Sequence, residues 1–201
     1  MQVVIMISLI IVIIILLFFL QFYRDPERIS PKGNHILSPA DGRIINIVDV
    51  EKKEGLISLK TDKKQLTRII QGTTNPKWLI QIYLSPFDCH MTRSPVHGKI
   101  TKITHVPGRL INAFRKDSIK NERVEFLIKT KKETIKNILV GAPFVHKIRK
   151  KVEEQEKVKA GQRLAQFLLG SQVTLILPEV DLQVKKGQHV RAGQSIIAAL
   201  R

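Results

Sequence analysis

The first 23 residues of the chain contain no charged side chain. Within them, residues 3–19 form an apolar run that is interrupted only by Ser8. At a helical rise of about 1.5 Å per residue, such a segment extends roughly 34 Å, which is enough to cross the hydrocarbon core of a bilayer. The sequence therefore predicts a transmembrane anchor over residues 1–23 and one domain over residues 24–201.

The flanks of the apolar run indicate that it is retained. A cleavable signal peptide begins with basic residues and ends at a small-residue cleavage site, whereas this run begins Met-Gln and ends Gln21-Phe22-Tyr23. We expect Phe22 and Tyr23 at the membrane interface. Because Arg24 and Arg28 follow directly, the positive flank predicts a single-pass membrane protein whose domain lies on the cytoplasmic face.

The charge of the chain lies entirely in the part after the anchor. All 34 lysine and arginine residues and all 17 aspartate and glutamate residues follow Tyr23, which gives a net charge of +17. Such an excess indicates an anionic partner, either a nucleic acid or the headgroup surface of a membrane. Aromatic residues make up only 5% of the chain and no nucleic-acid-binding motif is present, so we expect a membrane surface and no nucleic acid.

Cys89 is the only cysteine of the chain, which excludes an intrachain disulfide and a metal site built from several thiolates. A free cysteine usually behaves as a small buried apolar residue, and we expect this of Cys89. The histidines are scattered and do not form a cluster with carboxylates, so the sequence predicts no metal site.

From residue 36 onward the chain consists mostly of short β-branched runs separated by Gly, Pro and Asp. The runs are RIINIVDV, LISL, WLIQIYL, KITKITHV, VEFLIKT, NILVGAPFV, VTLILP and SIIAAL. Runs of this kind at short spacing indicate a β-rich sandwich or barrel. The best helical candidate is residues 109–119, and residues 147–159 are expected to form a solvated charged face or loop.

Two internal repeats sharpen the prediction of the fold. The tetrapeptide at residues 41–44 (DGRI) is echoed at residues 97–100 (HGKI), and residues 158–164 (VKAGQRL) are echoed at residues 190–196 (VRAGQSI). Each copy is typical of a turn that leads into a strand. Paired turns of this kind resemble those of lipoyl-like barrel-sandwich domains. We therefore predict a mainly β, lipoyl-like barrel-sandwich domain with few short helices.

Three polar clusters interrupt the β pattern. They are residues 38–42 (SPADG), residues 85–95 (SPFDCHMTRSP) and residues 169–172 (LGSQ). Residues 22–26 (FYRDP) precede them, and residues 121–123 (NER) lie between the second and the third. Each motif recurs by chance, but in this order and spacing they resemble the phosphatidylserine decarboxylase family over nearly the whole chain.

The resemblance implies an enzyme that decarboxylates phosphatidylserine, or an ether-lipid analogue, to the ethanolamine lipid and CO2. Decarboxylation of an α-amino acid needs an electron sink that no ordinary side chain supplies. The family provides it as a Schiff base with a pyruvoyl group, which is made here from Ser171 without any metal. The implied chains, 1–170 and 171–201, stay associated, and the motifs leave open whether the protein is a monomer or a homodimer.

The pair Gly170-Ser171 suits self-cleavage. Glycine lets a hydroxyl approach the preceding carbonyl closely, and Ser171 supplies that hydroxyl on the next residue. The expected route is an N-to-O acyl shift followed by β-elimination. The first chain then ends at Gly170, and the dehydroalanine at position 171 hydrolyses to the pyruvoyl group with loss of ammonia.

The resemblance also assigns the supporting residues. A serine hydroxyl is a weak nucleophile until a base takes its proton, and a histidine oriented by a carboxylate is a common solution. His90 and Asp41 match the family's positions for these roles, and His90 is also the candidate proton donor in turnover. Some members have a second histidine where this chain has Arg93. Arg93 and His97 are candidates for binding the substrate, or else a surface cation and a turn residue.

A second class of function is compatible with the repeats, namely a membrane-anchored lipoyl-like adaptor without enzymatic activity. Adaptors of the efflux type contain a long coiled coil, and the chain has no heptad segment of that kind. A lipoyl or biotin carrier needs a lysine at a hairpin tip, but neither residues 170–172 nor residues 178–181 contain one. The decarboxylase is therefore the preferred prediction.

Overall fold

The computed structural model describes residues 2–52, 63–108, 121–141, 148–167 and 171–200. A helix, α1 (Gln2–Phe22), precedes a domain built mostly of strands. The mainly β class predicted from the short β-branched runs is confirmed. The predicted strand LISL and the predicted helix at residues 109–119 lie outside the described residues.

Within the described residues, the strand pairs are all antiparallel. The strands are β1 (His35–Leu37), β2 (Gly42–Asp49), β3 (Trp78–Leu84), β4 (Met91–Arg93), β5 (Gly98–Val106), β6 (Arg123–Lys129), β7 (Thr134–Gly141), β8 (Ile148–Lys150), β9 (Lys157–Val158), β10 (Arg163–Phe167), β11 (Ser171–Leu177), β12 (Asp181–Leu182), β13 (His189–Val190) and β14 (Ile196–Ala199). A short helix, α2 (Lys63–Ile70), connects β2 to β3.

Eight of these strands form one curled sheet in the order β13-β2-β3-β11-β7-β6-β5-β9. Two three-stranded sheets, β1-β14-β12 and β4-β10-β8, accompany it. All three sheets contribute to one apolar core, in which Ile82, Phe126, Phe167, Val173 and Ile197 are completely buried. The large sheet therefore curls around the core, and the two small sheets close it.

Strand β11 lies in the middle of the large sheet. It pairs with β3 along one edge and with β7 along the other. Val173 and Leu175 face the main core, while Ile176 on the opposite face packs with Ile69 of α2. Because both edges of β11 are hydrogen-bonded and both faces are covered, the start of this strand has a fixed position in the domain.

The two copies of the longer sequence repeat meet in space. Gly161 and Gly193 both have left-handed backbone angles, with φ of 82° and 69°. A Cβ atom on Gly193 would lie 3.1 Å from the Cα of Gly161. The Gly161 amide donates to the Ser94 carbonyl and the Gly193 amide to the Ser38 carbonyl, each at 2.8 Å. The repeats thus form the paired turns that the sequence predicts.

The charged segment at residues 147–159 is only partly the solvated loop that its composition predicts. It contains β8 and β9, and Val152 and Val158 are buried in the core. Arg149 and Lys150 remain exposed. The sequence does not reveal these two valines, because Val152 follows β8 outside any strand and β9, which contains Val158, is too short to show alternation.

Helix α1 contacts the domain only near its C-terminal end. Its apolar side chains are exposed along most of its length, for example Val12 at 60% and Leu17 at 59%. Phe22 in the last turn is the only buried residue of the helix. By length and composition, α1 is able to cross a membrane.

Candidate active site

Ser171 is the first residue of β11. Its backbone lies opposite Leu84 of β3 on one side and Gly141 of β7 on the other. Gly170, the other half of the predicted cleavage site, lies outside the described residues. The predicted site therefore adjoins the start of the central strand, where the neighbouring backbone is fixed on both sides.

The loop between β3 and β4, residues 85–90, flanks the same position. It follows Leu84, which is the partner of Ser171. At its other end, the carbonyl of His90 accepts a hydrogen bond of 3.0 Å from the amide of Phe167, the last residue of β10. Phe167 and Ser171 are thus both held by residues at the two ends of the loop that carries His90.

The 85–90 loop is closed by the side chain of Asp88. Its Oδ2 accepts hydrogen bonds from the amide of Ser85 at 2.8 Å and from the Ser85 hydroxyl at 2.7 Å. The amide of Asp88 donates in return to the Ser85 carbonyl at 3.0 Å. His189 of β13 reaches the other oxygen, with Nε2 at 3.1 Å from Oδ1. This tight turn directs His90 into the interior.

His90 is completely buried, and burial lowers the pKa of its ring from 6.5 to about 4. Its Nδ1 lies 2.9 Å from the carbonyl oxygen of Asp88. A carbonyl oxygen can only accept, so Nδ1 carries the ring proton. Nε2 therefore keeps its lone pair, and it is buried without a hydrogen-bond partner in the described part of the chain. A neutral imidazole with an unused Nε2 is suited to act as a general base.

One face of the His90 ring is covered by Phe22. The ring centroids are 3.8 Å apart and the planes differ by 26°. Of the two aromatic residues predicted at a membrane interface, Phe22 packs on the domain and is only 1% exposed, whereas Tyr23 is 40% exposed. Nothing in the helical pattern of α1 shows that its last turn packs on the domain.

The carboxylate of Asp41 is bound by Arg28. The guanidinium donates to Oδ1 at 2.5 Å and to Oδ2 at 2.8 Å, and the amide of Ala192 donates to Oδ1 at 2.7 Å. The hydrogen bonds from Arg28 to Asp41 raise the pKa of the guanidinium. Arg28 is therefore a buried counter-ion, and not simply the surface cation expected beside an anchor.

Asp41 and His90 lie at the same end of the large sheet as Ser171, since the register runs from Arg43 of β2 through Tyr83 of β3 to Gln172 of β11. The motifs predict that Asp41 orients His90. Among the described residues, the hydrogen bond that orients the ring comes instead from the Asp88 carbonyl. The charge of Asp41 raises the pKa of the His90 ring, but this effect is smaller than the lowering caused by burial.

Arg93 is also buried, with 4% of its surface exposed. It donates to the Gly161 carbonyl at 3.0 Å, to the Pro26 carbonyl at 2.9 Å and to Asp25 at 3.2 Å. Asp25 is shared with Arg163, whose Nε lies 2.6 Å away. These contacts favour a structural role for Arg93, in which it holds the segment after α1 against the domain.

His97 is exposed and lies at the opposite end of the large sheet from Ser171. It directly precedes β5. Lys99 near the start of β5 pairs with Lys129 of β6, which pairs with Thr134 at the start of β7, whereas Ser171 pairs with Gly141 at the other end of β7. At about 3.3 Å per residue, the seven residues of β11 alone separate the two ends by roughly 20 Å. Its Nδ1 accepts a hydrogen bond from the amide of Ala160 at 3.3 Å. The structure therefore separates His97 from Ser171, although His97 and Arg93 contact neighbouring residues of one turn, Ala160 and Gly161.

Asn121 fixes the strand beside Ser171. Its Nδ2 donates to the carbonyl of Gly141 at 2.8 Å, and the Gly141 amide donates to the carbonyl of Glu122 at 2.8 Å. Asn121 is 1% exposed. The motif at residues 121–123, which served only to support the family resemblance, thus packs next to the predicted cleavage site.

Sequence reasoning missed two contacts of this site, Phe22 with His90 and Arg28 with Asp41. The available signal was the motif at residues 22–26, which stands directly behind the anchor and accompanies the other motifs. Motif order contains no distances, however, and an aromatic or basic residue after an apolar helix fits an interface equally well.

Comparison with known proteins gives one family. The phosphatidylserine decarboxylase family profile matches residues 15–198. A protein of Methanocaldococcus jannaschii, provisionally named an archaetidylserine decarboxylase proenzyme, is 34% identical over 92% of this chain and 90% of its own length. Phosphatidylserine decarboxylase proenzymes of Pelodictyon phaeoclathratiforme and Streptomyces avermitilis are 34% and 33% identical, over 90% and 87% of this chain and 78% and 70% of their lengths.

Proposed function

The chain belongs to the phosphatidylserine decarboxylase family, and on that premise we propose that it decarboxylates the serine headgroup of a membrane phospholipid by means of a pyruvoyl group made from Ser171. The products are CO2 and the ethanolamine lipid, whose tails are either ester-linked or ether-linked. The observation that carries the proposal is the buried, neutral His90 with an unused Nε2, in a loop whose two ends contact Ser171 and Phe167. Relatives named proenzymes add support for self-processing.

In self-cleavage, the Ser171 hydroxyl attacks the carbonyl carbon of Gly170 while His90 Nε2 takes its proton. The peptide C–N bond breaks as the nitrogen of residue 171 takes up this proton from His90, and an ester forms between the two residues. Loss of the Cα proton of residue 171 then breaks the Cβ–Oγ bond, which releases Gly170 as a carboxylate. Water replaces the nitrogen of residue 171, which leaves as ammonia. His90 suits the first step because a ring with a pKa near 4 is neutral at pH 7.

The residues around the start of β11 fit a reactive carbonyl at position 171. Pairing with β3 and β7 holds this position after the chain is cut. Such a carbonyl supplies the electron sink that a carbanion beside nitrogen requires. In turnover, His90 Nε2 can take the proton that the substrate ammonium loses as its amine joins the carbonyl, and return it to the α-carbon once CO2 has left. The buried side chains of Phe22 and Leu84 help to exclude water.

The two chains produced by cleavage are proposed to stay together. The second chain contributes β11, which lies between β3 and β7, and β14, which pairs with β1. It also contributes β13, which pairs with β2. Cutting one peptide bond removes none of these backbone ladders and none of the shared core.

We also propose that α1 anchors the protein as a single membrane span with the domain on the cytoplasmic face. The exposed apolar surface of α1 supports the anchor. The net charge of +17 on the remainder of the chain supports a position beside anionic headgroups.

Mass spectrometry under denaturing conditions tests the function. The native protein should give two species, residues 1–170 and residues 171–201, the second blocked to Edman degradation because a pyruvoyl group has no amine. Ser171→Ala should remain intact and release no CO2 from serine phospholipid vesicles. Ser195→Ala, a serine directly before β14, should mature normally. An active preparation that contains only the intact chain would contradict the proposal.

A further inference from the structure

The end of α1 contacts the 85–90 loop at two points besides His90. The side chains of Gln21 and Arg24 both donate to the carbonyl of Phe87, each at 3.2 Å. The thiol of Cys89 donates to the carbonyl of Arg24 at 3.2 Å. Cys89 is buried, and burial raises its pKa, so the thiol keeps the proton for this bond. The last turn of α1 and the 85–90 loop therefore pack as one unit.

Phe22 is the residue of α1 that enters this unit. It is 1% exposed, whereas Phe19, one turn earlier, is 42% exposed. Its ring lies over the His90 ring with a centroid separation of 3.8 Å. The single hydrogen bond at Nδ1 fixes one atom of the imidazole, and the stacked ring fixes its plane.

We propose that Phe22 is a positioning residue for His90, so that the last turn of the membrane helix forms one wall of the active site and holds the imidazole dry and in one orientation. This inference rests on the proposed role of His90 as the base in self-cleavage. It gives α1 a second task besides membrane attachment. Self-cleavage is intramolecular and consumes no lipid, so any dependence of maturation on Phe22 is separate from delivery of the substrate.

Two physical effects connect Phe22 to the chemistry. Burial is the largest cause of the low pKa of His90, and the Phe22 ring supplies part of that cover. Removing the ring would let water reach Nε2, which hydrates the lone pair and stabilises the protonated form. The base would then be protonated in acid solution and less well aligned at neutral pH.

The first experiment compares Phe22→Ala with Phe19→Ala in the full chain, made by cell-free synthesis into lipid nanodiscs and followed over time at pH 5 to 8. The native rate of self-cleavage should change little over this range, since His90 stays neutral. Phe22→Ala should cleave about tenfold more slowly at pH 7 and slow further as the pH falls below about 6.5. Phe19→Ala should behave as the native chain does. Identical pH profiles for the two variants would overturn the inference.

The second experiment does not depend on cleavage. In a Ser171→Ala background, NMR titration of the His90 ring should give a pKa that rises from about 4 toward 6.5 when Phe22 is replaced by alanine, and that stays low with Phe19→Ala. An unchanged titration would overturn the inference. If the titration shifts but the chains that retain Ser171 all stay intact in the first experiment, the inference about Phe22 stands and the proposed self-cleavage is refuted.

Two further variants guard against misfolding. Phe22→Leu keeps an apolar side chain but removes the stacked ring. It should slow cleavage equally at all pH values from 5 to 8, because His90 stays covered. A native rate would count against the inference. Replacing residues 2–17 by leucine while retaining the last turn of α1 should leave maturation unchanged. A slow rate in that chain would place the effect in the span, contrary to the role proposed for Phe22.

Discussion

At the scale of single residues, the two titratable groups of the site, His90 and Asp41, have different environments. His90 is neutral and has no hydrogen-bond partner at Nε2 among the described residues, whereas both carboxylate oxygens of Asp41 accept hydrogen bonds, from Arg28 and from the amide of Ala192. A buried carboxylate needs such a partner, because an unpaired charge in the interior costs several kcal/mol. The pair between Arg28 and Asp41 therefore links the segment after α1 to β2, whatever further role Asp41 has in chemistry.

Removing Arg28 should be strongly destabilising. In a Ser171→Ala background, we expect Arg28→Ala to lower the free energy of unfolding by about 3–5 kcal/mol, because Asp41 is left buried without its cation. Lys77→Ala is the control, since its partner Glu179 is 72% exposed and a pair screened by solvent contributes little to stability. Thermal unfolding in detergent measures both. Equal losses for the two variants would contradict the buried pair.

The double variant Arg28→Ala, Asp41→Ala separates structure from chemistry. It should regain a substantial part of the lost stability, because no unpaired charge remains. With Ser171 present, the double variant should self-cleave more slowly than the native chain, because Asp41 is proposed to support the reaction. Native cleavage in a restored double variant would assign Asp41 a structural role only.

At the scale of elements, the paired turns of the two repeats set the geometry of the domain. Gly161 and Gly193 face each other, and each is flanked by a buried strand, β10 or β14. The turn at Gly193 also carries Ala192, whose amide binds Asp41, and a Cβ atom on Gly193 would lie 3.0 Å from Cδ of Arg93. The same turn that closes the fold thus positions groups around the candidate site.

Two glycines with similar backbone angles allow this contact to be tested. Gly187 has φ of 88°, and a Cβ atom at this position would meet no neighbour within 4 Å. Gly193 has φ of 69°, and a Cβ atom there would have close neighbours. Gly187→Ala should cost about 1–2 kcal/mol, the strain of a left-handed alanine. Gly193→Ala should cost more, because Gly161 and Arg93 must also move. Thermal unfolding of both variants checks the order, and equal stabilities would show that the turns do not need the close approach.

At the scale of the whole molecule, the contacts of α1 determine which side of the domain faces the proposed membrane. The 85–90 loop adjoins the end of the helix, and Phe87 at its tip is 70% exposed. An exposed aromatic residue at this level is suited to the headgroup region of a bilayer. The candidate site would then open close to the lipid surface.

A tryptophan at position 87 should report this placement. In a Trp78→Phe background, which removes the only native tryptophan, Phe87→Trp should show blue-shifted emission in vesicles and quenching by lipids brominated near the headgroup. Lys131→Trp, in an exposed turn at the far end of the sheet, should be neither shifted nor quenched. Equal quenching at both positions would contradict the orientation.

The sequence by itself determined the features that short windows encode. Alternation and β-branching specify β3, β6, β7 and β11, the glycine-containing repeats specify the paired turns, and a long uncharged run specifies α1. The ordered motifs identified the family and named Ser171, His90 and Asp41, whose roles stay predictions. Each of these signals lies in a continuous stretch of sequence or in the order of short motifs along the chain, so no tertiary contact is needed to recognise it.

Only the tertiary structure decided how these parts meet. It places Phe22 against His90, Arg28 against Asp41, and His97 at the far end of the sheet. It also assigns the ring proton of His90 through the Asp88 carbonyl. These are contacts between segments distant in the chain or between side chain and backbone. They depend on how the large sheet curls and how α1 docks, which no local pattern of residues specifies.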